Sequence, residues 1–238
     1  MVMVSAKIFT FKGVDINNFS KIFEKYDRIV DRIEEMNLDL KENTESFRKI
    51  DDHDVAFTFQ CDFKYSREFR GREITYPATY KSDIWVFFAH DSNYVFIFDE
   101  DRPAEHISGR IEAILRENGY NSELKRISIS NESLLDIIAK DFVKLSASWL
   151  KRIGEDLRAA FLSGRLRDSE GENDLYKVIA ERAGEMSSAT YLSRKLGINV
   201  TISRKKGSIA VRKKDLDPSA LVDYFREVVY PVLLKRKS

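Results

Sequence analysis

Residues 84–103 read IWVFFAHDSNYVFIFDEDRP and contain the pattern that decides the fold. Two apolar runs, residues 84–88 and 94–98, flank a polar turn, which predicts an antiparallel hairpin. Asp101 and Pro103 follow, and both residue types are common in the first turn of a helix. The stretch therefore predicts a strand, a turn, a second strand and a capped helix.

The same order of features recurs near the C-terminus. Residues 78–80 and residues 189–191 both read Ala-Thr-Tyr, and a second pair of apolar runs follows the second copy at 198–202 and 209–212. The Asp-Pro pair at 217–218 then begins the last helix. This internal repeat predicts two related lobes, each an antiparallel sheet partly covered by helices.

The strands and helices come in clusters and do not alternate strictly, which favours the α+β class over a doubly wound parallel fold. No low-complexity segment separates the two halves, and residues 119–123 are the best candidate for a junction. We therefore expect an N-terminal α+β lobe at 1–121 and a C-terminal lobe at 122–238, the latter with a basic hairpin and the final helix.

Two helices are candidates for self-association. Apolar residues recur every three or four positions from Ile16 to Met36, which predicts a long amphipathic helix with Asp15 as its N-cap. The final helix has a similar apolar stripe from Leu221 to Val232. A self-associating structural protein, with a dimer contact on one of these helices, is one interpretation of the sequence.

Composition indicates a folded protein of a reducing compartment. The chain has 238 residues, of which 43% are hydrophobic, enough to form a core. The single cysteine, Cys61, cannot form an internal disulfide, and no apolar stretch approaches the roughly 18 residues that span a bilayer. We expect a cytoplasmic protein with no membrane association. The charged fraction of 33%, almost balanced in sign, is typical of a thermophile.

Motifs for catalysis and cofactor binding are absent from the sequence. It contains no glycine-rich dinucleotide or phosphate loop, and one cysteine with three histidines are too few for a structural zinc site. We therefore expect no cofactor. The one catalytic alternative is a Mg²⁺-dependent nuclease that uses Asp99 and Asp101 with Glu123 and Lys125. The other interpretation is that the aspartates cap a helix and that Glu123 and Lys125 are surface charges.

The C-terminal quarter is strongly basic, because residues 186–238 contain twelve Lys and Arg against four Asp and Glu. A two-stranded ribbon with a cationic tip can follow a nucleic-acid backbone through phosphate contacts. The predicted nucleic-acid-binding residues are Arg194, Lys195, Arg204, Lys205, Lys206, Arg212, Lys213 and Lys214. The alternative is that these cations maintain solubility and block edge-to-edge strand pairing.

A dense set of aromatic residues between 57 and 88 also has two interpretations. Exposed rings on a sheet can stack nucleic-acid bases, whereas buried rings form the core. Trp85 and Phe87 lie on the face opposite Ile84 and Val86, so both faces of this strand are apolar. One face is then covered by helices, and the other by the second lobe or by another protein.

These observations favour a non-enzymatic binding or assembly module that acts as an accessory subunit of nucleic-acid-handling machinery. No family motif can be placed on the residues. By architecture alone, a paired-lobe chain of this size resembles the non-catalytic N-terminal lobe of an Argonaute, and this resemblance implies a short catalytic partner. The expected partners are another protein subunit and, through the basic hairpin, nucleic acid.

Overall fold

The computed structural model describes residues 4–151, 159–168, 185–212 and 216–235. The chain is α+β, with extensive antiparallel sheet and a few helices. It divides into two units, an N-unit of Phe9–Lys125 and a C-unit of Met1–Ile8 together with Arg126–Ser238. The expected lobes, 1–121 and 122–238, differ from this division mainly in the place of the first eight residues.

The N-unit contains two helices and most of the sheet. Its strands β2 to β6 are hydrogen-bonded in sequence order, each antiparallel to the next. The elements are β1 (Val4–Phe11, whose last three residues belong here), α1 (Ile16–Phe23), β2 (Asp27–Ile33), a 3₁₀ turn (Glu34–Met36), β3 (Leu38–Lys49), β4 (Asp54–Phe69), β5 (Arg72–Phe88), β6 (Asn93–Phe98), α2 (Asp101–Glu117) and β7 (Lys125–Arg126, at the division between the units).

One face of the N-unit sheet packs against α1 and α2. Phe57, Phe59 and Val86 lie on this face, and Phe19 of α1 and Ile111 of α2 cover them in one apolar cluster. Side chains alternate along a strand, so the apolar residues at every second position all lie on this buried face. Trp85 and Phe87, on the opposite face, are also buried, at 8% and 7% exposure, so neither forms an open interface.

The C-unit combines antiparallel strands with α3 and a C-terminal helical segment. Its strand order is β1-β12-β11-β10-β8-β9, and α3 packs against β10 and the C-terminal segment. The elements are α3 (Asn131–Asp141), β8 (Phe142–Lys151), β9 (Ala159–Asp168), β10 (Glu185–Ser193), β11 (Asn199–Ser203), β12 (Ser208–Val211), α4 (Pro218–Tyr224), a π-helical turn (Phe225–Val229) and α5 (Tyr230–Lys235). None of the helices in the described ranges combines the length and apolarity needed to cross a membrane.

Both hairpins of the predicted repeat are present, as β5–β6 and β11–β12. The helix starts are also confirmed, because α2 begins at Asp101 and the Asp217 carboxylate accepts the Ser219 N–H. The N-cap of α2 is Glu100, which makes no side-chain cap hydrogen bond, so a side-chain cap is present only on the second of these helices. The Ala-Thr-Tyr copies differ in position: the first lies on β5 itself, within the hairpin, and the second lies on β10, the preceding strand. The relation between the two lobes stays a prediction.

The prediction of one long first helix, from Ile16 to Met36, is wrong. Asp15 caps α1 as expected, with its Oδ1 accepting the Asn18 N–H at 2.9 Å, but α1 ends at Phe23 and residues 27–33 form β2. Ile29, Val30 and Ile33 are β-branched and fit a strand better than a helix. A bulge between Ile29 and Asp31 interrupts the period of two, so the apolar spacing imitates a helix. The first helix therefore has eight residues, and the dimer contact expected for it stays a prediction.

The final helix also has no free apolar stripe. Leu221, Phe225, Val229 and Val232 are all buried, with exposures of 0%, 0%, 0% and 8%. These side chains form part of the core of the protein itself. The stripe that predicted a dimer contact is therefore occupied within the chain.

An ion pair between a buried carboxylate and a half-buried arginine joins α2 to β3 in the N-unit. The Glu42 side chain is only 2% exposed and accepts hydrogen bonds from Arg110 Nε, from Arg110 Nη2 at 3.1 Å and from the Tyr26 hydroxyl at 3.2 Å. Burial and the neighbouring Glu42 raise the pKa of Tyr26 to about 12, so the phenol remains a donor. The carboxylate is satisfied only while Arg110 is present to compensate its charge.

We expect Arg110→Ala to lower the free energy of unfolding by about 3 kcal/mol, because it leaves a buried charge without its partner. Arg116→Ala is the matched control: Arg116 pairs with Glu112 on the same helix, but its side chain is 64% exposed. That control should cost less than about 0.5 kcal/mol. Urea denaturation of both variants measures the difference, and equal losses would contradict a structural role for the Glu42–Arg110 pair.

Candidate nucleic-acid interface

The β4–β5 hairpin extends beyond the rest of the sheet as a two-stranded ribbon. Every residue of β4 has a partner on β5, from the pair of Asp54 with Phe87 to the pair of Phe69 with Arg72. In contrast, β3 pairs with β4 only as far as Cys61, and β6 pairs with β5 only from Asp83. No other strand in the described ranges pairs with residues 62–79, which form a two-stranded ribbon that we call the arm.

A two-residue turn closes the arm. Arg70 and Gly71 both have positive φ angles, of 52° and 73°. Positive φ at both central residues is the geometry that matches the right-handed twist of paired strands, and glycine adopts it without strain. The turn fixes the register, so the alternation of side chains continues unchanged to the tip.

One face of the arm combines exposed rings with arginines, and we call it the aromatic face. It continues the face that packs against α1 and α2 closer to the core. Phe69, Ile74 and Tyr76 on it are 56%, 48% and 36% exposed. The positions on this face are Phe63, Tyr65, Arg67 and Phe69 of β4 and Arg72, Ile74, Tyr76 and Ala78 of β5, and none of them is acidic.

The opposite face of the arm is polar and internally bonded. Ser66 and Thr75 share a hydrogen bond of 2.8 Å between their hydroxyl oxygens, and Thr79 Oγ1 donates to Asp62 Oδ1 at 2.6 Å. Lys64 Nζ lies 2.9 Å from Asp31 Oδ2. Both carboxylates near the tip, those of Glu68 and Glu73, are on this polar face. Alternation thus separates the acids of the arm from the rings.

Arginines surround the rings of the aromatic face. The Tyr65 and Tyr76 rings are 5.0 Å apart between centroids, and the Arg102 guanidinium of α2 lies 5.9 Å from the Tyr65 centroid. In the described part of the chain, Arg67 and Arg72 have no carboxylate within ion-pair distance. Their charges are therefore available to an anionic ligand.

His106 closes the inner end of the aromatic face. Its ring lies 4.7 Å from the Phe63 centroid and 5.4 Å from the Tyr80 centroid. Burial, and then the charge of Arg110, lower the pKa of His106 below its usual 6.5. The imidazole is therefore uncharged at neutral pH and packs as an aromatic ring.

The residues of the basic hairpin predicted from the sequence differ in burial and in hydrogen bonding. The Arg204 side chain is 16% exposed, and its guanidinium donates to the carbonyl oxygens of Ile129 at 3.0 Å and Met186 at 2.8 Å. A Cβ on Gly207, at φ +46°, would lie 2.5 Å from the Ile127 carbonyl oxygen. This β11–β12 turn is packed against residues 126–129, and Arg204 is part of that packing.

The other predicted cations of the C-unit are on the surface. Lys195 Nζ lies 2.5 Å from Glu227 Oε2, whereas its backbone N–H donates to Asp141 Oδ1 at 2.9 Å. Arg194, Lys205, Lys206 and Arg212 are exposed. Lys213 and Lys214 lie outside the described residues. Binding through any of these cations stays a prediction.

The residues of the nuclease alternative have other partners. Asp99 accepts hydrogen bonds from Ser82 Oγ and from the Glu100 N–H, and Glu123 pairs with Lys125 at 2.8 Å. In the ranges that the structure covers, no three His, Cys, Asp or Glu side chains are grouped so as to hold a metal ion. Asp99 and Glu123 are therefore held by partners within the chain.

The single cysteine is buried. Cys61 has 0% exposure, and burial, followed by the charge of Glu42, raises the pKa of the thiol to about 12. The thiolate, which is the nucleophilic form, is therefore negligible at neutral pH.

Sequence reasoning included Tyr65, Phe69 and Tyr76 in the aromatic set but missed Arg67, Arg72 and Arg102. The signal was present, since the alternation of β4 continues through residue 69 and places Arg67 on the same side as the rings. The sequence does not show how far the helices cover that side of the hairpin.

Neither the known family models nor the curated proteins give a relative for this chain. No model of a known protein family matches it, and no curated protein is significantly similar to it in sequence. Its function is therefore inferred from its own residues.

We expect Arg204→Ala to lower the free energy of unfolding by about 3 kcal/mol, because two carbonyl oxygens lose a charged donor. Lys205→Ala, at the neighbouring exposed position, is the control and should stay within about 0.5 kcal/mol of the parent. Thermal or urea denaturation measures both. A destabilisation by Lys205→Ala as large as that by Arg204→Ala would contradict this assignment.

Proposed function

We propose that this protein is a non-enzymatic binding module that holds nucleic acid as an accessory subunit of nucleic-acid-handling machinery. The observation that supports this most strongly is the separation of chemistry on the arm. Rings and unpaired arginines occupy one face, and the carboxylates occupy the other. A polyanion can approach the aromatic face without meeting a negative charge.

The type of cation favours phosphate as the ligand. Arginine presents a planar fork of donors that matches the oxygens of a phosphate group, and it is more weakly hydrated than lysine. Arg67 and Arg72 lie on opposite strands of a ribbon, so together they span its width. A backbone crossing or following the ribbon can therefore contact both guanidinium groups.

The accessory role is the second part of the proposal. The ionisable groups that are buried in the described part of the N-unit have structural partners, as Glu42 does with Arg110 and Asp54 does with the Trp85 indole N–H. The rings and arginines suited to binding, in contrast, lie on the arm. We therefore propose that the catalytic work belongs to a separate protein subunit, with two related lobes in this chain providing the scaffold.

We expect the full chain to bind nucleic acid with a salt dependence set by its arginine contacts. Replacing Arg67 and Arg72 by Gln should weaken binding and reduce the slope of log affinity against log salt by about 1.4, since each phosphate contact to a single strand contributes about 0.7. Fluorescence anisotropy with labelled oligonucleotides, titrated with salt, measures both quantities.

The matched control removes the same number of charges from the polar face of the same hairpin. Lys64 and Lys81 are on that face and pair with Asp31 and Glu45. Their replacement by Gln should leave the slope nearly unchanged. No detectable binding of any nucleic acid by the parent protein at low salt would overturn the proposed function.

The nuclease alternative stays a prediction, with a direct test. If it is correct, Mg²⁺-dependent cleavage of a labelled oligonucleotide should be lost in Asp101→Ala and in Glu123→Ala. Cleavage that survives both substitutions would remove the idea.

A further inference from the structure

We infer that the aromatic face of the arm is a site for single-stranded nucleic acid, in which bases stack on Tyr65, Tyr76 and Phe69 and phosphates contact Arg67 and Arg72. This inference rests on the proposed function and adds the class of ligand and the location of its site. It also distinguishes a stacking site from a surface that attracts phosphates by charge alone.

Attraction of phosphates by the arginines does not explain why aromatic side chains are exposed on this face. The neighbouring strands and helices bury Phe57 and Phe59 on this same face, at 3% and 0% exposure, yet Phe69 near the tip is 56% exposed. Solvation alone would favour polar residues at the tip, as on the opposite face. Rings beside unpaired guanidinium groups are the composition of platforms that stack bases and bind the backbone.

The same features favour a single strand over a duplex. A two-stranded ribbon can enter the major groove of DNA, but there it meets base edges, which are read by hydrogen bonds. Phe69 and Ile74, at the outer end of the aromatic face, offer no donor or acceptor to a base edge. In a single strand the bases are free to present their faces, and every base has one.

The dimensions set the length of the ligand. From Phe63 to Phe69 the aromatic face covers six residue steps, which is about 20 Å at about 3.3 Å per residue. Bases that stack on same-face positions are at least two residue steps apart, or about 6.6 Å, so this length holds about four bases. We therefore expect binding to strengthen with oligonucleotide length up to about four nucleotides and then to level off.

A second copy of this chain is a poor occupant of the same face. Two arms placed with their aromatic faces together would bring Arg67 and Arg72 of each copy against those of the other, without a carboxylate on either face to compensate. Like charges in a contact without counter-charges disfavour it. The charge of the face is complementary to a phosphate backbone.

The test compares single-stranded and duplex oligonucleotides of equal sequence, bound to the full chain and to arm variants. Tyr65→Ala combined with Tyr76→Ala should weaken single-strand binding by about tenfold or more, since loss of a stacking ring has effects of that order. Tyr65→Phe combined with Tyr76→Phe keeps both rings and should bind like the parent. Ser66→Ala with Thr75→Ala changes the polar face at the same distance from the tip and should also bind like the parent.

Circular dichroism of each variant shows whether the sheet is intact, and the comparison of single-strand with duplex binding by the parent keeps the test valid if the Ala pair unfolds. Equal affinity of the parent for single strand and duplex would overturn the inference, as would undiminished single-strand binding by a folded Ala pair. In that second case nucleic acid still binds, so the proposed function survives and the site lies elsewhere. Absence of any binding by the parent removes the proposed function itself.

Discussion

The unbroken pairing of β4 with β5 is the constraint on which the rest of the N-unit depends. Because no bulge interrupts it between Asp54 and Phe69, each side chain keeps its face over the whole length of the hairpin. The same alternation that buries Phe57 and Phe59 under the helices therefore places Tyr65, Arg67 and Phe69 on one exposed face. The core residues and the candidate interface therefore lie on the same face of this hairpin, at its inner and outer ends.

The cations of the chain fall into two groups with different physical roles. Arg110 and Arg204, whose side chains are 33% and 16% exposed, donate to acceptors within the fold, namely the Glu42 carboxylate and the carbonyl oxygens of Ile129 and Met186. Arg67 and Arg72 are exposed and lie near the tip of the arm. Formal charge alone does not distinguish the groups, which is why the basic C-terminal quarter was the more conspicuous feature of the sequence. Burial and hydrogen bonding distinguish them.

Local patterns predicted the hairpins and helix starts correctly. Asp15 and Asp217 accept backbone N–H groups in the first turns of their helices, as expected from the preference of short polar side chains for that position. The first helix was predicted too long because a bulge near Val30 interrupts the period of two in β2. The β-branched residues of this strand then match the helical spacing by coincidence. Pairing between strands is non-local, so a single sequence cannot show where a bulge lies.

The candidate site was predictable only in part. The alternation of β4 and β5 was visible, and so was the aromatic composition of both strands. The point at which neighbouring strands stop was not, since β3 and β6 leave the hairpin at Cys61 and Asp83 because of their own lengths and registers. The exposure of Tyr76 and Phe69 follows from those end points. For the same reason, the sequence could not separate core rings from free ones.

The most direct test of the account is ultraviolet cross-linking of the full chain to a single-stranded oligonucleotide, followed by mass spectrometry of the cross-linked peptides. The account predicts that the cross-links map to residues 63–76 and that excess unlabelled single strand competes for them. Competed cross-links confined to the C-terminal cations, with none on the arm, would contradict it.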